Sequence, residues 1–157
     1  MKKLLSCLLM AAALAACGEN TSHSAEAPDI YATVFRYQIA HNLSSQREGV
    51  ELACLATVVK GISGDPDPAI MARFAGSTVL IRKQSECTVA SFGVFDNVSG
   101  KRGIELKLGK ITWLSSNEAK IEGGYYEANE SGSGNTYRLR KTGKQWEVVD
   151  DLLNWVS

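Results

Sequence analysis

Four cysteines, two histidines and a scatter of carboxylates are the residues of this 157-residue chain with chemistry to offer. The cysteines are Cys7, Cys17, Cys54 and Cys87. A thiol can ligate a metal, cycle between redox states or close a disulfide. No Cys-x-x-Cys occurs, and no histidine stands near Cys54 or Cys87 in sequence, so metal and redox pairs are disfavoured. His23 lies in a polar stretch and reads as solvated. His41 falls near the end of a helical pattern, where positive charge suits the helix C-terminus. Asp65 and Asp67 sit in Asp-Pro-Asp-Pro, which lacks the ligand ladder of a calcium loop and suits turn and capping duty. Gly-x-Ser-x-Gly, a phosphate-binding loop and a dinucleotide glycine signature are all missing from the sequence. Gly132 and Gly134 are not followed by Lys-Ser/Thr and read as part of a hairpin loop. No catalytic residue, metal ligand or cofactor is assigned.

The start of the chain carries a different chemistry. Met1-Lys2-Lys3 precedes an apolar run from Leu4 to Ala16. A helix crossing a bilayer needs about 20 apolar residues, so this run fits a removable export signal rather than a permanent span. Leu14-Ala15-Ala16-Cys17 resembles the bacterial lipobox position by position. The resemblance implies removal of residues 1–16 and attachment of acyl chains, palmitate among them, to a new N-terminus at Cys17. Two or three chains anchor far more firmly than one. Gly18 in place of an aspartate implies the outer membrane, facing the periplasm. From Cys17 to Pro28 the chain is polar and without apolar periodicity, the composition of a flexible tether.

Export orders the cysteines. Cys7 leaves with the signal and Cys17 takes lipid. Cys54 and Cys87 remain as an even pair in an oxidising compartment, which implies a disulfide between them. Without Lys2 and Lys3 the mature chain holds 15 basic and 17 acidic residues, a net charge of −2. Basic residues form no patch, so nucleic acid is excluded as a partner.

Residues 29–157 are long enough for one domain with a single core. Asp29 offers an N-cap to a helix whose apolar stripe, Ile30, Val34 and Ile39 with Tyr31 and Phe35, runs to about Asn42. Val50–Val59 reads as a strand. Asp67-Pro68 starts a short helix with Ile70, Met71 and Phe74, ended by Gly76. Beyond Ser77 the pattern is antiparallel sheet, with loops at Asn97–Gly103 and Glu130–Asn135. Ile104, Leu106 and Leu108 alternate, and the parity then switches to Ile111 and Trp113. One extra residue at Gly109 predicts a bulge and a bend. Glu105, Lys107 and Lys110 alternate with the apolar positions and read as solvated, as does Glu122. Leu152–Val156 is too apolar for a frayed end and is expected to dock on the sheet or the long helix.

This order of elements resembles the cystatin-like α+β fold of the nuclear transport factor 2-like superfamily. So does the closing run of Tyr125-Tyr126, a hairpin, Tyr137-Arg138-Leu139 and Gly143-Lys144-Gln145-Trp146-Glu147-Val148. Cys54, Asp65-Pro66-Asp67-Pro68, Ser85-Glu86-Cys87 and Trp155-Val156-Ser157 together look like a set of small exported bacterial proteins. The resemblance implies an N-terminal helix and a short second helix packed on a bent antiparallel sheet that forms a cone. Tyr31, Phe35, Trp113 and Tyr125 are then the candidate lining of a pocket inside it. The superfamily holds isomerases, dehydratases and cyclases as well as non-catalytic binding modules, so the fold implies no single activity. Its catalytic members use an Asp–His or Tyr–Asp pair, and here the domain offers only His41. The expectation is therefore an envelope lipoprotein with a non-catalytic binding or protein-interaction domain. Its partners would be the membrane, through Cys17, and an envelope protein. The alternatives are a small-molecule-binding or enzymatic cone, and an inhibitor or immunity protein against a cell-wall hydrolase, presenting the Ser85–Cys87 or Asn97–Gly103 region.

Overall fold

The computed structural model describes residues 14–42, 51–129 and 131–157, with side chains in the first helix from His23 onward. Most of the expected signal peptide, and the side chain of Cys17, lie outside the described residues. Two helices pack on a mixed sheet of ten strands among the described residues. Helix α1 spans Leu14–Asn42, strand β1 Leu52–Val59, β2 Ile62–Gly64 and helix α2 Pro68–Met71. Strands β3 (Leu80–Lys83), β4 (Cys87–Ala90), β5 (Gly93–Asp96), β6 (Arg102–Leu108) and β7 (Thr112–Trp113) follow. Strands β8 (Glu118–Ala128), β9 (Ser131–Thr142) and β10 (Gln145–Val156) complete the sheet as a long meander. No helix among the described residues is long and apolar enough to cross a membrane.

The sheet order is β10-β9-β8-β6-β1-β2. It is mixed rather than antiparallel, because β1 runs parallel to both β3 and β6. The cause lies in β1 itself. Leu52, Ala53, Cys54, Leu55 and Ala56 are all fully buried, and a strand covered on both faces reads as a continuous apolar run. A crossover through α2 returns the chain beside it in parallel as β3. Asp67 caps α2 as expected, accepting the Ala69 amide at 2.7 Å, with Pro68 in the first turn. The main core lies between α1 and the sheet. Ile30, Val34 and Phe35 meet Leu55, Ile104, Leu106, Ile121 and Leu139 there. Burying Phe35 completely contributes about 2–3 kcal/mol. A smaller core of Leu52, Cys54 and Val94, with Leu80, Cys87 and Tyr126 against it, occupies the opposite face.

The Cys54–Cys87 disulfide is present and joins β1 to the start of β4, with Cα atoms 6.4 Å apart. The predicted irregularity at Gly109 is present too. Leu108 pairs with Gly123 and Thr112 with Lys120, so three residues face two across β8.

Two expectations are corrected. Helix α1 does not begin at Asp29 but runs unbroken from Leu14 with Pro28 inside it. Asp29 is no cap and instead receives Arg73 Nε at 2.7 Å. The Glu130–Asn135 loop is strand from Ser131 on, the chain reversing at Asn129 with φ +40°. The end docks on the sheet as expected: it pairs through its backbone as β10 to β9 as far as Val156, while Leu152, Leu153, Trp155 and Val156 keep their side chains exposed.

Candidate functional site

Among the described residues, Ile30, Val34 and Phe35 of α1 pack directly against Leu55, Ile104 and Leu106 of the sheet. Phe35 is fully buried and meets Phe74 edge-on. Tyr31 lies half-buried, and its hydroxyl donates to the Gly109 carbonyl at 3.0 Å, tying the helix to the bulge. Trp113 is taken up by His23, stacked on it at 4.0 Å, and by Trp146, edge-on at 5.7 Å. His23 is thus packed rather than solvated. Tyr125 packs against the main core. All four candidate lining residues therefore make core contacts, and Tyr125 also borders a different hollow.

That hollow is a groove of about 720 Å³ on the face of the sheet away from α1. Strand register builds it. Lys107 of β6 pairs with Gly124 of β8, Gly124 with Gly134 of β9, and Gly134 with Trp155 of β10. One cross-strand row therefore reads Lys107, Gly124, Gly134, Trp155. The next row places Glu105 beside Tyr126 and Tyr126 beside Gly132. On the other side of the first row, Glu122 pairs with Thr136. The Thr136 hydroxyl accepts the Asn154 side-chain amide at 3.1 Å. The β4–β5 turn, Val89 to Ser91, forms the remaining wall.

The two central glycines are required by close approach. A Cβ on Gly124 would lie 2.0 Å from the Ser133 carbonyl oxygen, and one on Gly134 would lie 2.1 Å from Trp155 Nε1. Glycine inside a strand marks such an approach. The indole of Trp155 lies along the bare backbone of Gly134 while the residue stays 56% exposed. On the helix side the fully buried Gln38 holds this floor, its amide donating to the Gly124 carbonyl and the Tyr137 hydroxyl, each at 3.2 Å. Burial pushes the Tyr137 phenol up to about 12.

Glu105 departs furthest from its solvated expectation. It is 1% exposed, covered by Gln84, whose amide donates to Oε1 at 3.0 Å. Lys107 Nζ lies 2.8 Å from Oε2 and forms an ion pair with it. Glu122 and Lys110 are exposed as expected. Tyr126 is fixed by its hydroxyl, which donates to the Ala90 carbonyl at 3.1 Å. His41 is removed from the groove. Its ring stacks on Tyr37 at 4.0 Å, and Nδ1 lies 2.7 Å from the Tyr37 carbonyl oxygen, a helix-terminal role. No protein-family model, curated protein or solved structure matches the chain.

The groove thus combines a buried carboxylate ion-paired to an ammonium, a side-chain amide and two aromatic rings on a backbone floor. This arrangement can hold a ligand by shape and hydrogen bonding. A second hollow of about 650 Å³ runs along Phe74, Gly76–Ile81 and Lys101. Its charged residues, Glu51 and Lys101, are exposed and paired with each other, so it offers no buried polar group. Sequence patterning missed the outer groove. The signal that could have found it was the Gly123-Gly124 pair inside an alternating strand, with Gly132 and Gly134 on the strand that follows.

Proposed function

We propose that this protein is a lipid-anchored binding protein of the bacterial envelope that captures a small ligand in the groove on the outer face of its sheet. The groove carries this reading. Its volume lies within the range of small-molecule sites, about 300–1,000 Å³, and a few polar groups converge on it from a rigid sheet. The anchor rests on Leu14-Ala15-Ala16-Cys17, which resembles a lipobox, and Cys17 would hold the domain at the outer membrane facing the periplasm. A Cys54–Cys87 bridge suits that oxidising compartment. The cystatin-like reading of the fold rests on the long helix packed on a sheet that ends in the meander of β8, β9 and β10. The parallel pairing of β1 departs from it.

The reading is tested by adding a low-molecular-mass extract of the envelope to isotope-labelled protein. Shifts of the Gly124 and Gly134 amides and the Trp155 indole N–H are expected, and Gly134→Leu should abolish them. An extract that leaves all three resonances unmoved overturns the reading.

A further inference from the structure

We infer that β10 is a docking edge that takes an extended segment of a partner protein as one more strand, the segment being apolar opposite Leu152–Val156 and basic opposite Asp151. This edge is separate from the binding role proposed for the groove, and either can fail without the other. β10 is the last strand of the sheet, and among the described residues its backbone pairs with β9 alone. The amides and carbonyls along its other side form a row that a further strand would complete. Natural edges are commonly blunted by charges or proline. The last five residues of β10, Leu152 to Val156, have neither, and Leu152, Leu153, Trp155 and Val156 are each more than half exposed.

The register of β10 on β9 bears on what can cover these side chains. Leu152 and Trp155 stand opposite Thr136 and Gly134, on the groove face. Leu153 and Val156 stand opposite Asn135 and Ser133, on the face of α1. A flat surface laid on the sheet would cover one pair and leave the other in water. A strand added at the edge lies beside both, because its own side chains point to both faces. A second copy of the chain is a poor occupant. The midpoint of β10 falls at Asp150 and Asp151, so antiparallel pairing of two whole β10 strands sets one of these aspartates opposite its own copy. Like charges directly opposite are destabilising. The same carboxylates favour a basic partner. Arg138 of β9 already stands opposite Asp150, whereas Asp151 stands opposite Tyr137 and accepts the Asn135 amide at 2.6 Å without an ion pair among the described residues. Main-chain pairing would then supply affinity, and the apolar and basic side chains the specificity.

A synthetic peptide of alternating valine and isoleucine, with a pair of lysines at each end, should be added to the purified full-length protein. Saturable binding is expected, with hydrogen exchange of the Leu152–Val156 amides slowed about tenfold or more. A copy N-methylated throughout its apolar run keeps the side chains but cannot pair along an edge, and a copy with glutamates for lysines reverses the charge. Both should bind about tenfold more weakly. Leu153→Lys should weaken the first peptide similarly, and its thermal unfolding should be unchanged because the residue is 55% exposed. Asp151→Lys should reverse the preference between the lysine and glutamate peptides. The inference is overturned if the first peptide leaves exchange in β10 unchanged at millimolar concentration, or if the N-methylated copy binds as well. It is also overturned if the protein alone is a dimer with these amides protected, which would make a second copy the occupant. Protection by vesicles of phosphatidylethanolamine and phosphatidylglycerol alone would assign the edge to the bilayer and overturn it likewise. The groove is read independently, from the Gly124 and Gly134 amides.

Discussion

Asp96 is buried at the end of β5, and its carboxylate organises the turn into β6. It accepts the Ser99 amide at 2.8 Å and the Ser99 hydroxyl, and it receives Arg82 Nε at 2.9 Å. These bonds to Ser99, then to Arg82, hold its pKa down to about 2, against 3.8 in the unfolded chain. A group whose folded value is depressed stabilises the protein above its unfolded pKa and loses that contribution as pH falls toward the folded one. Stability measured by urea unfolding should therefore drop between about pH 4 and pH 2. Asp96→Asn should be less stable at pH 5 and lose part of that slope. The slope will not vanish, since Glu51 and Asp65 are also held low, by Lys101 and by Ser85 respectively. An Asp96→Asn protein with an unchanged acid profile would contradict this role. Residues such as Asp96 could be recognised from sequence only as turn formers. Glu105 could not be recognised at all. Its alternation with Ile104 and Leu106 marks the face opposite the main core, which is solvated unless something covers it. Gln84, distant in sequence, supplies that cover.

Among elements, the second helix and the bulge were readable because their causes are local: Asp67-Pro68 at a helix start, and a parity switch at Gly109. The start of α1 was not. Pro28 and a run of Ser, Thr and Asn argue against helix by propensity. Tertiary contacts outweigh them. His23 stacks on Trp113, and Glu26 Oε2 accepts Trp146 Nε1 at 2.9 Å while lying 2.8 Å from Lys141 Nζ. The turn of helix before Pro28 is thereby fastened to β7, β9 and β10. Glu26→Ala should cost about 1–2 kcal/mol. It should also lower hydrogen-exchange protection of amides 25–31 more than that of Phe35 to Ile39. Equal loss of protection along the whole helix would show that Glu26 stabilises the fold at large rather than this turn. The end of the chain docks on the sheet as expected, as edge strand β10. Apolar composition signalled docking, but the docking is made by backbone pairing, and composition does not report which side chains a sheet edge leaves in water.

At the scale of the whole molecule, two linkages set how the domain is held. The disulfide closes a loop of 33 residues between β1 and β4, worth about 3–4 kcal/mol on the chain-entropy account. It staples the small outer core beside the groove, since Cys54 packs with Leu52 and Val94 while Tyr126 lies against the same cluster. The other linkage is the path from Cys17 to the domain. The backbone is helical from Leu14, and side-chain docking is in place by His23. Six residues of helix rise about 9 Å. If Cys17 carries lipid, the sheet is held within roughly one helical turn or two of the bilayer surface and in a restricted orientation, where a flexible tether would let it roam. Cys17→Ser should release the protein from the membrane fraction into the soluble periplasm. A Gly-Ser insertion of about ten residues after Gly18 should leave it membrane-bound but farther away. Energy transfer from a dye on an engineered Lys144→Cys, in protein whose native pair remains oxidised, to a labelled lipid should then fall. Retention of Cys17→Ser in the membrane fraction would remove the anchor. Unchanged transfer after the insertion would mean that the domain rests on the bilayer through its own surface, with the exposed Leu152, Leu153 and Val156 of β10 as the apolar face available to do so.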